Sequence, residues 1–159
     1  MPREGAPVGP KAGLSRPTRP RGRVREHGPV IGAIAAGGAL GALARYGAAV
    51  AWPTGPGTFP TTTFVINAIG SALVGVVVVL ITDVWSTHGL ARPFLVTGVL
   101  GGFTTFSAYS VETEQLLRDG HPLLALSYLA GTLGVAVLAV TLATLLTRHA
   151  CRSVRRGTR

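Results

Sequence analysis

Charge is scarce in this 159-residue chain and acidic charge scarcest: 13% of residues are charged, with six Asp or Glu against fifteen Lys or Arg. So little charge is a composition of bilayer proteins. The single cysteine, Cys151, excludes an internal disulfide; in a basic tail it reads as a plain thiol, with palmitoylation the rarer alternative. His27, His88, His121 and His149 are scattered over tails and loops without metal-ligand or triad spacing. No nucleotide-binding loop is present, and the glycine pairs at 37 and 101 lie inside apolar segments, where they suit packing and helix breaking better than phosphate binding. The chain does not read as an enzyme.

What it has in quantity is apolar surface: 47% of residues are hydrophobic, and the mean hydropathy is +0.44. Apolar stretches fall at about 30–52, 61–82, 93–117 and 123–147, and each reaches the roughly 20 residues that a membrane-spanning helix requires. Short connections force consecutive helices to run antiparallel and put both termini on one side. The fold class expected is an all-α membrane protein of four transmembrane helices with a broken third helix.

Residues 1–28 carry seven Lys or Arg and five Pro. They bury too little to fold, and they are expected to form a disordered basic tail. Residues 29–148 form the transmembrane domain and 149–159 a second basic tail. The apolar run after the first tail is too long for a secretory signal. A nucleic-acid arm over 16–25 is set aside, because no aromatic residue interleaves its arginines and a membrane domain follows at once; no nucleic-acid partner is expected. Five further arginines, Arg148, Arg152, Arg155, Arg156 and Arg159, close the chain. This bias places both termini in the cytoplasm, with the chain in the inner (plasma) membrane as a multi-pass protein.

Within the spans, polar residues need a cause. In the first, Ala33, Gly37 and Gly41 recur every four residues and mark a face where another backbone can approach. Arg45, about two turns before the end of that span, either snorkels to the interface or supplies positive charge to a vestibule that draws anions. Thr63, Asn67 and Ser71 form a polar stripe on the second span, suited either to interhelical hydrogen bonds or to a wet path. Tyr128 and Thr132 share a face of the fourth, whereas Thr141 and Thr144 are expected to bond back to their own helix.

The third span holds the densest anomaly, Gly98-Val-Leu-Gly-Gly-Phe-Thr-Thr-Phe-Ser-Ala-Tyr-Ser-Val-Glu112. Lipid cannot satisfy freed backbone groups or a carboxylate, so a helix broken here must line a cavity, an ion site or a partner. Gly101 and Gly102 are expected to weaken the helix, with Thr104 and Thr105 supplying carbonyls and hydroxyls to the gap. Phe106 and Tyr109 follow on adjoining parts of one face: two aromatics at this spacing are by default core packing, and otherwise their electropositive edges attract an anion without trapping it.

With these motifs the chain resembles the fluoride channel family of bacteria and yeasts, often called Fluc or CrcB. The carriers are Gly37-Gly-Ala-Leu-Gly-Ala-Leu-Ala-Arg-Tyr46, Thr63-Phe-Val-Ile-Asn-Ala-Ile-Gly70 and Gly101-Gly-Phe-Thr-Thr-Phe-Ser-Ala-Tyr-Ser-Val-Glu112. The resemblance implies passive fluoride export that relieves fluoride toxicity, through an antiparallel, dual-topology dimer with a structural Na+ at its centre. It assigns the sodium to the main-chain carbonyls of Gly101 and Thr104. It places Arg45, Asn67, Phe106, Tyr109, Glu112, Tyr128 and Thr132 along the fluoride pathway, while Ala136, one turn beyond Thr132, lacks a hydroxyl.

Two departures stand out. Tyr109 occupies a position where the family usually has phenylalanine, and Ala108 one where it usually has a small hydroxyl residue. The phenol either binds fluoride longer or finds a protein acceptor. The charge bias also opposes insertion in both directions, so the partner is either a second copy or, as this bias implies, a homologous subunit of opposite orientation. Alternative functions are a non-conducting structural subunit of a heterodimeric fluoride channel and a small four-helix multidrug exporter. The exporter would need a carboxylate in the first span, which has none.

Overall fold

The computed structural model describes residues 22–83 and 89–157. Every regular element among them is helical, and the helices supply four candidate membrane spans: His27–Ala51, Thr61–Asp83, Pro93–Arg118 and Pro122–Ser153. These agree with the apolar stretches read from the sequence to within three residues, except that the fourth runs six residues further, to Ser153. α1 is Gly22–Ala51 and α2 is Thr61–Asp83. The third span consists of a wide π-wound run, Pro93–Leu100, tightening into one α turn, Gly101–Phe103; together these are termed α3. After two extended residues it continues as α4, Phe106–Arg118. α5, Pro122–Gly157, closes the chain.

The N-terminal boundary differs from the expected one. Residues 22–28, assigned by composition to a disordered tail, are the first turns of α1. Helix propagation from an apolar segment costs little once the nucleus exists, and Arg23, Val24, Arg25 and Glu26 tolerate it. Residues 1–21 of that tail lie outside the described residues, as do 158 and 159 of the C-terminal one. Residues 149–157 continue α5 as helix.

Helices pair by parallel neighbours rather than by chain order. α1 lies chiefly against α3, and α2 against α5. Glycine permits the first pairing. A Cβ on Gly37 would lie 2.4 Å from the Phe94 carbonyl oxygen, and one on Gly41 only 2.0 Å from that of Val99. The approach is mutual, because a Cβ on Gly102 would sit 2.4 Å from the Gly38 carbonyl oxygen. In the second pair Gly75 meets the Val140 carbonyl in the same way, at 2.6 Å. Lipid is as apolar as leucine, so such close backbone packing, not hydrophobic burial, holds the spans together.

The two glycines expected to break the third helix do not break it. Gly101 is α-helical, at φ −65° and ψ −34°, and Gly102 belongs to the same turn. The extended residues are Thr104, at φ −76° and ψ 157°, and Thr105, at φ −146° and ψ 124°. β-branched threonine accepts extended dihedrals readily, whereas Gly102 is used for its missing side chain.

Gly41→Ala is therefore expected to lower the melting temperature of the detergent-solubilised protein by several degrees, since overpacking costs about 1–3 kcal/mol. A Cβ on Gly47 meets nothing within 4 Å, so Gly47→Ala should not lower melting, helical alanine being favoured over glycine. Equal melting of the two variants would contradict this account.

Candidate functional site at the interruption of the third span

Where α3 ends, its last carbonyls lose their helical donors, and in a membrane they need replacements. The Asn67 carboxamide supplies one pair of bonds. Its Nδ2 donates to the Thr105 carbonyl at 3.0 Å, and its Oδ1 accepts the Thr105 amide at 2.9 Å. One buried side chain thus pairs with an extended residue as a neighbouring β-strand would. The Thr105 hydroxyl then caps α4 by accepting the Ala108 amide at 3.1 Å, and Thr104 Oγ1 donates back to the Leu100 carbonyl at 2.9 Å.

Arg45 neither points freely to the interface nor stands alone. Its Nε donates to the Gly102 carbonyl at 3.1 Å, from a half-buried position. The guanidinium therefore lies against the C-terminal end of α3, where the helix dipole favours a cation.

These bonds select which carbonyls stay open. In a continuous helix the Thr105 amide would serve Gly101 and the Ala108 amide would serve Thr104. Here the first goes to Asn67 and the second to the Thr105 hydroxyl. Gly101 is also exposed on the outer face of the bundle.

Phe106 and Tyr109 begin a run of touching rings. Their centroids are 5.7 Å apart, Tyr109 lies 5.3 Å from Tyr128, and Tyr128 lies 5.3 Å from Phe59. Phe106 is 79% exposed, in contrast to the fully buried Tyr128. The Tyr109 phenol donates to the Leu129 carbonyl of α5 at 2.8 Å. Of the two fates open to that hydroxyl, the structure shows the protein acceptor.

Glu112 is held from both sides. Thr63 Oγ1 donates to one carboxylate oxygen at 2.7 Å, and the Tyr128 hydroxyl donates to the other at 2.6 Å. Three spans thus meet at a single carboxylate. Thr132, a turn beyond Tyr128, keeps a buried hydroxyl oxygen with no hydrogen-bond partner. Thr141 and Thr144 bond back to Val137 and Val140, as expected.

Cavities lie on either side of this carboxylate along α4. One, of about 380 Å³, is bordered by Asn67, Ser71, Thr104, Phe106, Tyr109 and Thr132. The other, of about 450 Å³, opens at the loop end beside Glu112, Gln115, Asp119, Thr54 and Thr58. The structure so brings Asn67, Phe106, Tyr109 and Thr132 around one cavity and ties Glu112 and Tyr128 together beyond it. Arg45 is joined to the group only through Gly102.

A profile of the family described as "CrcB-like protein, Camphor Resistance (CrcB)" matches residues 32–144. The chain belongs to the CrcB family. Among its relatives, a protein of Streptomyces avermitilis named fluoride-specific ion channel FluC 2 is 52% identical over 124 residues, 78% of each chain. One of Streptomyces coelicolor, named fluoride-specific ion channel FluC 1, is 49% identical over 143 residues, 90% of each chain. A Nocardia farcinica protein named fluoride-specific ion channel FluC 2 is 50% identical over 127 residues, 80% of this chain and 91% of that one. Streptomyces avermitilis also has a FluC 3, 39% identical to this chain over 140 residues.

Three features of this CrcB chain were not read from its sequence. Phe59, from the loop before α2, joins the ring run; Thr63 and Tyr128 share Glu112; and Asn67 pairs with main chain. Local spacing carries no signal for such long-range partners. Asn67→Leu removes two buried bonds and strands Thr105, so it should destabilise the solubilised protein by about 2 kcal/mol or more. Tyr109→Phe keeps the ring and frees one helical carbonyl, a loss nearer 1 kcal/mol. Chemical denaturation in detergent that reversed this order would contradict the geometry.

Proposed function

We propose that this chain is a subunit of a fluoride-specific channel that lets fluoride leave the cytoplasm passively and so limits its toxicity. The observation that carries the reading is the cavity shared by an amide, hydroxyls and aromatic edges beside the interrupted third span. Fluoride is small and strongly hydrated, and many weak donors can replace its water without holding it as a full cation would. Asn67 keeps one amide hydrogen beyond its bond to Thr105, and the Thr132 hydroxyl has no protein partner. Beyond the rings, the Thr63 and Tyr128 hydroxyls donate to Glu112; a turn of that carboxylate would release them to an anion. Arg45 acts on this reading through electrostatic attraction and by fixing α3.

The working unit is an antiparallel dimer, dual-topology if its two subunits are copies of this chain. The exposure of Phe106 and Gly101 and the open face of the cavity support this, since in one subunit they face lipid. A structural Na+ at the centre of the dimer would be held by the Gly101 and Thr104 carbonyls, whose helical donors are engaged elsewhere. The ion would neutralise the partial negative charge of those carbonyls and fasten the two broken helices together. Twelve of the fifteen Lys or Arg lie in residues 1–28 and 148–159, which favours one orientation, with both termini cytoplasmic. The partner is then a homologous subunit of opposite orientation, and a second FluC protein within one Streptomyces species agrees with such pairing. A homodimer is the other arrangement.

Liposomes containing the chain, alone or with its homologue, should release fluoride and retain chloride; equal chloride release would overturn the proposal. Asn67→Asp and Phe106→Ile should each reduce fluoride release at least tenfold, roughly 1.4 kcal/mol in barrier. Undiminished release from both variants would make this subunit structural, its partner conducting alone. A C-terminal tag should be accessible from the cytoplasmic side only, and an even split would establish two-way insertion.

A further inference from the structure

α5 is longer than a bilayer requires. Its 36 residues span about 54 Å, against a hydrocarbon core of roughly 30 Å. Its apolar part ends at Thr147, and the helix continues without a break through Gly157. The arginines of this continuation are spaced for one face. From Arg148, positions 152, 155 and 156 fall within an arc of roughly 100°, and all are arginine. Ala150 and Ser153 lie away from that arc.

Arg148 and Arg152 are exposed, and neither pairs with a carboxylate among the described residues. Arg92, also exposed, precedes α3 at the same end of the bundle. Glu4, Glu26 and Asp83 are the acidic residues in the segments at that end. The guanidinium groups of Arg148 and Arg152 follow the last apolar turn, where the headgroups lie, and guanidinium forks match phosphate oxygens.

We infer that the α5 face that carries Arg148 and Arg152 is a docking surface for the phosphodiester headgroups of anionic phospholipids. Its place decides between phosphate sources. The stripe leaves the membrane directly from a rigid span, so lipid phosphate meets it before any soluble phosphate does. The surface clamps α5 in the leaflet on the side of the termini, away from the ion pathway.

The test uses the full chain, purified in uncharged detergent and mixed with phosphatidylglycerol or phosphatidylcholine, with retained lipid counted by native mass spectrometry. Wild type should retain phosphatidylglycerol about tenfold over phosphatidylcholine, as expected for several arginines at an anionic surface. The combined variant Arg148→Gln, Arg152→Gln, Arg155→Gln, Arg156→Gln should lose that preference. The matching four-lysine variant should keep most of it. Equal retention of both lipids by wild type, or a preference undiminished in the glutamine variant, would overturn the inference. Displacement of phosphatidylglycerol by millimolar inorganic phosphate or by a short RNA would also overturn it, because the stripe would then serve a soluble anion.

Discussion

A helix interrupted inside a bilayer must find hydrogen-bond partners within the protein, and the Asn67 carboxamide meets that constraint here. Its bonds to both main-chain groups of Thr105 allow the third span to leave helical geometry at lipid depth. Everything distinctive about the site follows from that pairing. Thr105 is free to cap α4, the helical donors of the Gly101 and Thr104 carbonyls are engaged elsewhere, and α4 restarts with Phe106 exposed.

Close backbone packing makes the interruption rigid. The α1 and α3 backbones approach through Gly37, Gly41, Gly98 and Gly102, each of whose missing Cβ would strike main chain. That contact also sets Arg45 opposite the Gly102 carbonyl. A charge that looked costly in the first span is thereby partnered, and the end of α3 gains a cation where its dipole points. Packing and electrostatics are solved by the same helix crossing.

A second junction forms at Glu112, where hydroxyls from α2 and α5 meet a carboxylate of α4. Low dielectric strengthens such bonds and raises the penalty for breaking any one of them. The ring run from Phe106 through Tyr109 to Tyr128 links this junction to the interruption, and the bond from Tyr109 to the Leu129 carbonyl fixes its middle. Tyrosine in place of phenylalanine thus adds a tie between α4 and α5 while leaving a ring edge in place.

The sequence alone determined the spans, because bilayer thickness imposes a length that apolar runs must meet, and all their ends but that of the fourth agree with the structure to within three residues. It also marked Asn67, Arg45, Tyr109, Glu112, Tyr128 and Thr132 as polar groups needing a partner, since lipid penalises each unless it is satisfied, and Phe106 as an aromatic beside the break. Tertiary structure alone decided what the reasons are. The break falls at Thr104 and Thr105 rather than at the glycines, because Gly102 was required for contact with α1, and spacing does not reveal what a missing side chain makes room for. Thr63 and Tyr128 are joined through Glu112 across 49 and 16 residues of chain. Hydrogen bonds of that span depend on helix crossings that local periodicity does not encode.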